Sequence, residues 1–213
     1  SKKYKTKYFT FSDEAISPNA FNRMSKEILK KGVEMRSLGM LKFESGDKES
    51  PELFEDVHRA GFLMLFFGLE SANDRILSII DKGCDQATEK SVLKNSSDAG
   101  IWNHLYLFFG FPTEEREEAE DTIRFTVENS ETGTGHIHSV GQSIFALEKD
   151  SAIYHNPGKF KVDRIIHDPD RDMAIVFDFD IKAGMPREEV MDVYEHFDSV
   201  IEETFPSRKI WNY

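Results

Sequence analysis

Leu63-Met-Leu-Phe-Phe-Gly-Leu-Glu-Ser71 is an apolar run of strand length that reaches a glycine and opens onto a carboxylate and a hydroxyl. Leu105-Tyr-Leu-Phe-Phe-Gly-Phe-Pro-Thr113 repeats the design, and the two glycines, Gly68 and Gly110, stand 42 positions apart. Unbroken apolar runs of this length mark strands covered on both faces, as in parallel sheets. Each is followed by a helical pattern, so the chemistry is expected at the C-terminal ends of parallel strands.

Working outward, the same alternation recurs. Tyr8–Phe11 reads as a short buried strand, followed by a helix from Pro18 that carries Phe21, Met24 and Ile28 on one side and stops at Gly32. Glu34–Leu38 is a weaker strand of mixed polarity. Ser50-Pro51 is a cap and first-turn pair for a helix ending at Gly61. Asn73 or Asp74 caps a short helix that stops at Gly83, and a further helix covers about Gln86–Ala99. After the Ile101–Phe109 strand, Thr113 is expected to cap a helix with an acidic first turn, its run Glu114–Glu120 reading as solvated surface. His136–Ala146 is the next strand region, interrupted by Gly141. From Leu147 to Met185 turn signals dominate, with Met173–Phe179 as one further strand; Pro186 starts a final amphipathic helix. About five strand–helix units at spacings of roughly 27–42 residues predict an α/β fold, a partial (β/α) barrel of the TIM type. Residues 1–146 form that unit, and 147–213 a C-terminal extension packing on it. A Rossmann domain is the rival, but no G-x-G-x-x-G turn occurs.

The chain has 213 residues, 39% hydrophobic and 12% aromatic with 18 phenylalanines, enough for one domain with a sizeable core. A net charge of -12 disfavours nonspecific contact with nucleic acid or anionic membrane. No run approaches the roughly 20 apolar residues of a membrane span. With no leader pattern in Ser1-Lys-Lys-Tyr-Lys-Thr-Lys7, the cytoplasm is the expected location. The single cysteine, Cys84, excludes an internal disulfide and a cysteine-built iron–sulfur or zinc site within this chain. It is expected in a helix-connecting loop away from the strand ends, with no neighbouring histidine to activate it. His136 and His138 share a strand face, which reads as a polar face rather than a metal site.

Phe67-Gly-Leu-Glu-Ser-Ala-Asn-Asp-Arg-Ile-Leu77, closed by Asp81-Lys-Gly83, resembles the fourth-strand segment of radical S-adenosylmethionine (SAM) enzymes. The likeness is closest to the branch often fused to a cobalamin-binding domain. Phe9-Thr-Phe-Ser-Asp-Glu14 resembles that family's second-strand motif, with Glu14 where a second aspartate is usual. Phe109-Gly-Phe-Pro-Thr-Glu114 resembles its fifth-strand motif, with Thr113 in the usual glycine place. Phe145-Ala-Leu-Glu-Lys-Asp-Ser151 through Tyr154-His-Asn-Pro157 is similar to the segment after its sixth strand. The resemblance covers roughly residues 4–200, strands 2 to 6 of that barrel, and lacks the CxxxCxxC loop that holds the family's [4Fe-4S] cluster.

The resemblance implies reductive cleavage of SAM to a 5′-deoxyadenosyl radical, SAM and a [4Fe-4S] cluster as cofactors of a parent protein, and cobalamin as a further possibility. It implies an inactive fragment whose partner is the missing N-terminal part of the same barrel, acting on a small-molecule or peptide substrate. An uncovered parallel edge at Tyr8–Phe11 argues for such a neighbour. Asp13, Glu14, Glu70 and Ser71 then stand at strand ends as candidate SAM contacts, their oxygens accepting from ammonium or sugar groups. Aspartate and serine also cap helices and turns, which is the plainer role of Asp13 and Ser71. Arg36 is a candidate partner for the SAM carboxylate or for Glu70. Gly110, Phe111 and Pro112 would shape an adenine wall, and Gln142 would face the substrate. Two other functions fit the composition: a noncatalytic barrel-derived binding or scaffold protein, and a metal-dependent TIM-barrel hydrolase built on Asp13 and Glu70.

Overall fold

A computed structural model describes residues 4–13, 15–44, 50–167 and 173–206. At its centre five parallel strands lie in chain order: β1 (Tyr8–Thr10), β2 (Arg36–Met40), β3 (Phe62–Glu70), β4 (Trp102–Phe109) and β5 (Ser139–Ile144). Right-handed crossovers between sequential neighbours place all the connecting helices on one face. These are α1 (Pro18–Lys30), α2 (Pro51–Arg59), α3 (Asp74–Ile79), α4 (Gln86–Asp98) and α5 (Arg116–Asn129). The sheet curls away from them into an open half-barrel. Helix starts follow local chemistry: Ser17, Ser50, Asn73 and Asp85 each accept a backbone N–H of the first turn through their side chains.

Strand alternation divides the two faces. Leu65, Phe67 and Leu69 of β3, with Leu105, Leu107 and Phe109 of β4, are buried on the helix side. The concave side carries Met64, Phe66 and Gly68 beside Trp102, His104 and Tyr106. There Gly68, Tyr106 and Gly141 stand in register on three successive strands, and the Tyr106 ring lies within 3.1 Å of where a Cβ on Gly141 would sit.

Beyond β5 the chain builds a second, antiparallel sheet in the order β6 (Leu147–Glu148), β8 (Val176–Ile181), β7 (Val162–Ile166). Helix α6 (Ala152–His155) and a 3₁₀ turn, Pro157–Phe160, lie between β6 and β7. Helix α7 (Arg187–Thr204) then returns to the barrel, packing on β4, β5 and α5 with Val190, Val193, Phe197 and Ile201 buried. Phe197 meets Phe109 edge-on at 5.3 Å.

Three local expectations are corrected. β1 is exposed along its length rather than buried, because it stands at the edge of the described sheet. The stretch 147–185 holds three paired strands rather than one, because β7 and β8 are half-exposed and alternate too weakly to be read as apolar runs. Helix α5 is capped not by Thr113 but by Glu115, whose carboxylate and that of Glu118 form a reciprocal capping box. Thr113 instead has φ +80°, a left-handed backbone rare for a β-branched residue. A glycine would adopt that angle without strain.

Candidate functional site

A cleft of about 530 Å³ opens at the C-terminal ends of the strands, between the barrel and the α6–3₁₀ segment. Its charged end is built by two local devices. The first is a bulge at the end of β3, where the register slips between Gly68 and Glu70 and Glu70 takes φ +66°. The Glu70 carboxylate folds back over Gly68 so closely that a Cβ there would collide with its Oε1. Gly68 is therefore the seat of a side chain, and that use decides the glycine.

The second device ends α3. Asp81 adopts φ +55°, its N–H donates to Ser78 O, and the Lys82 N–H donates to Leu77 O. This is a Schellman ending with aspartate in the left-handed position. It aims Lys82 at the cleft, where Nζ donates to Glu70 Oε1 at 3.2 Å, both side chains being mostly shielded from solvent. Beneath the pair lies Glu89 of α4, fully buried, with Oε2 unpartnered and Oε1 accepting from Cys84 Sγ at 3.8 Å. Burial holds this carboxyl well above the ordinary carboxylate range, against the pull of Lys82. Cys84 is accordingly close to the strand-end cluster, contrary to the expectation that it stands apart.

The apolar end is a nest of rings. Phe111 packs against Phe145 at 5.1 Å, Phe108 at 6.1 Å and Phe160 at 6.2 Å. Behind it, the Gly110 N–H donates to Glu114 Oε2 at 2.6 Å. Glu114 is buried rather than solvated, its Oε1 has no partner, and burial raises its pKa to about 7 against those backbone bonds. Gly110 has φ +83°, and a Cβ there would lie 2.6 Å from Val190 Cγ1, so it admits α7 rather than a ligand. Arg75 ties the turn from above: Nη2 donates to Thr113 O at 2.6 Å, Nη1 to Thr113 Oγ1 at 3.1 Å, and the guanidinium pairs with Glu118.

The structure brings only some of the expected residues together. Glu70 and Phe111 line the cleft. Pro112 is buried behind Phe111. Asp13 is exposed in the loop after β1, at the same end of the sheet but two strands from Glu70; Glu14 lies outside the described residues. Arg36 starts β2, level with the beginning of β3, whereas Glu70 ends it. At about 3.3 Å per residue that separation is roughly 26 Å, which removes Arg36 as a partner of Glu70. Ser71 is buried on the helix side, accepting from Asn73 N at 3.1 Å and bonded to Thr122 Oγ1 at 3.2 Å. Gln142 pairs in register with Leu107, on the helix face, and donates to Asp198 of α7 at 3.2 Å, so Ser143 rather than Gln142 turns to the concave side. Lys82, Glu89, Glu114, Phe145 and Phe160 were not anticipated; the Asp81-Lys-Gly83 signature was the one available pointer to Lys82.

Among the described residues, no group of three or more His, Cys, Asp and Glu is placed to hold a metal ion. No described helix is long and apolar enough to cross a membrane.

Comparison with known proteins bears on this geometry. The sequence profile of the Radical SAM superfamily matches residues 3–126, more than half of the chain. An uncharacterized methyltransferase of Pyrococcus horikoshii is 39% identical over 61 residues, covering 29% of this chain and 13% of the relative. Among solved structures, coproporphyrinogen III oxidase from Escherichia coli, a radical SAM enzyme, superposes on 90% of this chain and 40% of its own, with TM-score 0.58 and 11% identity. The cobalamin-dependent SAM radical enzyme OxsB, with aqua-cobalamin and SAM bound, covers 75% of this chain and 24% of its own, with TM-score 0.52 and 13% identity. The chain thus spans less than half the length of each.

Proposed function

The chain belongs to the radical SAM superfamily, and from that premise we propose that its cleft is the later-strand part of a SAM pocket in a longer radical enzyme. One observation carries the reading: an ammonium and a carboxylate, Lys82 and Glu70, sit side by side beside an aromatic wall at the strand ends. The amino-acid end of SAM is a zwitterion and its base is neutral and flat. Glu70 would accept from the amino group, Lys82 would meet the carboxylate, and Phe111 would lie against the adenine. Asp13 and Glu14 are proposed as further contacts from the β1 end; Arg36, Ser71 and Gln142 are not carried into this reading.

When bound beside a reduced cluster, SAM supplies the one-electron chemistry that starts a radical reaction. The cluster itself does not fit this chain, whose single cysteine cannot provide a cluster's cysteine ligands. We assign it to sequence outside residues 1–213 and expect this chain alone to be inactive. The task of these residues is to bind, orient and exclude water. Release of Lys82 from Glu70 by the incoming zwitterion exchanges one charge-assisted pair for two, and the phenylalanine wall keeps that exchange in a poorly solvated place. No role here is proposed for cobalamin.

The test is equilibrium binding of SAM to the anaerobically reconstituted full-length protein. Replacing Glu70 by Gln, or Lys82 by Met, is expected to weaken it about tenfold, the ~1.4 kcal/mol typical of one charged hydrogen bond. Unchanged affinity in both variants would sink the assignment. The lone cysteine also suits a second reading, a noncatalytic barrel-derived binding protein. That one predicts a full-length form taking up neither iron nor sulfide.

A further inference from the structure

The cleft continues past the Glu70–Lys82 end. A second space of about 380 Å³ shares Phe108, Phe145, Ser151 and Ile153 with it and runs toward the end of β5 along Ser143. The shared wall is almost wholly apolar. Ser151, its polar member, is already engaged as the cap of α6, accepting from Tyr154 N at 3.2 Å.

Two ammonium groups border the first space from different parts of the fold. Lys42 follows β2 on the barrel, and Lys159 lies in the 3₁₀ turn of the extension, its Nζ 5.3 Å from the centre of the Phe160 ring. Neither has a carboxylate within ion-pairing distance among the described residues. The other charged groups on the first space are Lys82 and Glu70, which pair with each other, and Asp81; the second space, which neither lysine lines, carries Glu148. The second space thus holds a single carboxylate, and the lining of the first space, where both lysines stand, is net positive by one charge in a chain whose net charge is -12. That local excess decides the sign of the occupant: a cation would meet two free ammonium groups, and a neutral molecule would leave them unused.

We propose that the outer part of the cleft binds a second molecule beside SAM, an amphipathic carboxylate with a flat apolar body against Phe145 and Ile153 and its anionic group held by Lys42 and Lys159. The proposal rests on the preceding reading only in taking the Glu70–Lys82 end as occupied by SAM. It names the class of substrate: an aromatic or other planar apolar acid.

The probe is 1-naphthoate, titrated by its fluorescence into the 213-residue chain, with 1-naphthamide as the uncharged isostere. Isoleucine-methyl labelling gives the location, since Ile144 and Ile153 line the outer part, Ile79 and Ile80 adjoin the Lys82 end, and Ile123 and Ile201 lie in the barrel core. Saturable binding of naphthoate is expected, several-fold tighter than naphthamide, with the largest shifts at Ile144 and Ile153 and none at the core methyls. Substituting both lysines, K42M with K159M, is expected to weaken naphthoate about fivefold, the combined worth of two exposed ion pairs, and to leave naphthamide unchanged. Both lysines are surface residues, so the variant tests charge rather than folding. The proposal is overturned if naphthoate fails to bind, binds no better than the amide, keeps its affinity in the double variant, or shifts the core methyls instead. Competition between SAM and naphthoate also overturns it, because the two were assigned separate ends. Failure of SAM to bind at all, with naphthoate behaving as expected, removes the SAM reading and leaves the anionic site standing.

Discussion

Replacing Glu114 by Gln separates a buried carboxyl from every other titrating group of the chain. In the folded state this residue is held at about 7 because burial strips its charged form of water, while the Gly110 N–H recovers only part of the loss. In the unfolded chain it returns to its ordinary 4.5. Between those two values the folded protein holds a proton that the unfolded chain has released, so stability falls as pH rises, and the fall ends once pH passes about 7. At about 1.4 kcal/mol per unit of pKa, the full difference is roughly 3 kcal/mol. Glutamine cannot ionise and still offers an oxygen to the Gly110 N–H, so E114Q should match the native protein near pH 4.5 and exceed it by roughly 3 kcal/mol at pH 8. Urea denaturation of both proteins across that range reads the difference, and Glu89, which also titrates, cancels because both carry it. A difference independent of pH would refute the argument, and so would one that shrinks as pH rises. Either result would mean that the 2.6 Å bond to Gly110 is made by a carboxylate that has kept its solvation.

Other substitutions separate close approaches that look alike in sequence. A Cβ on Gly61 would run into the Met35 carbonyl at a backbone angle of φ +107°, so Gly61→Ala should cost about 3 kcal/mol or more in urea denaturation. On Gly68 the obstacle is the movable end of Glu70, so Gly68→Ala should cost less than about 1 kcal/mol while displacing the ion pair, seen as weaker SAM binding. Asn103 is fully buried, donating to Leu93 O and His136 O at 2.8 Å and accepting from Ser96 Oγ at 2.7 Å. Its replacement by Ala should lower stability by about 3 kcal/mol, and a loss under 1 kcal/mol would contradict this network. Gln142→Leu should leave naphthoate and SAM binding unchanged, since Gln142 turns toward α7.

The barrel was legible because β3 and β4 are long, uninterrupted and closed by glycines, and because the caps Ser50 and Asn73 sit just where the apolar period changes. Glu70 was legible for the same reason, being the first charge after an apolar strand. Arg36 was misplaced because sequence gives the face of a residue but not its height: only the register with β3 shows that it begins the strand. Gln142 failed in the opposite way. Val140, buried on the helix side, shares its parity, and that was the available sign that Gln142 turns away from the mouth; Gly141 and Ser143 weakened the alternation. Glu114 was hidden by its neighbours, since a carboxylate heading an acidic run reads as solvated until the turn before α5 folds it under Phe111.

The position of Phe111 also says which parts of the chain share a task. One of the two buried apolar clusters joins Ile76 and Phe111 of the barrel to Leu147, Ile153, Phe160 and Val162 of the extension. The cleft opens at that junction, so the extension is one of its walls. Glu70, Lys82 and Phe111 come from strand ends and the adjoining turns, where the alternating architecture fixes backbone positions closely. Ile153, Lys159 and Phe160 come from a segment whose own sheet is small and half-exposed, and which meets the cleft through apolar contact, Phe160 against Phe111. A segment held by apolar contact tolerates exchange of its side chains more readily than a strand end held by ladder hydrogen bonds. In the proposed reading, binding of the zwitterion therefore belongs to the barrel edge, and discrimination among second molecules to the extension. Substitution at Lys159 should accordingly change which acid binds and leave SAM affinity alone, while substitution at Lys82 should do the reverse.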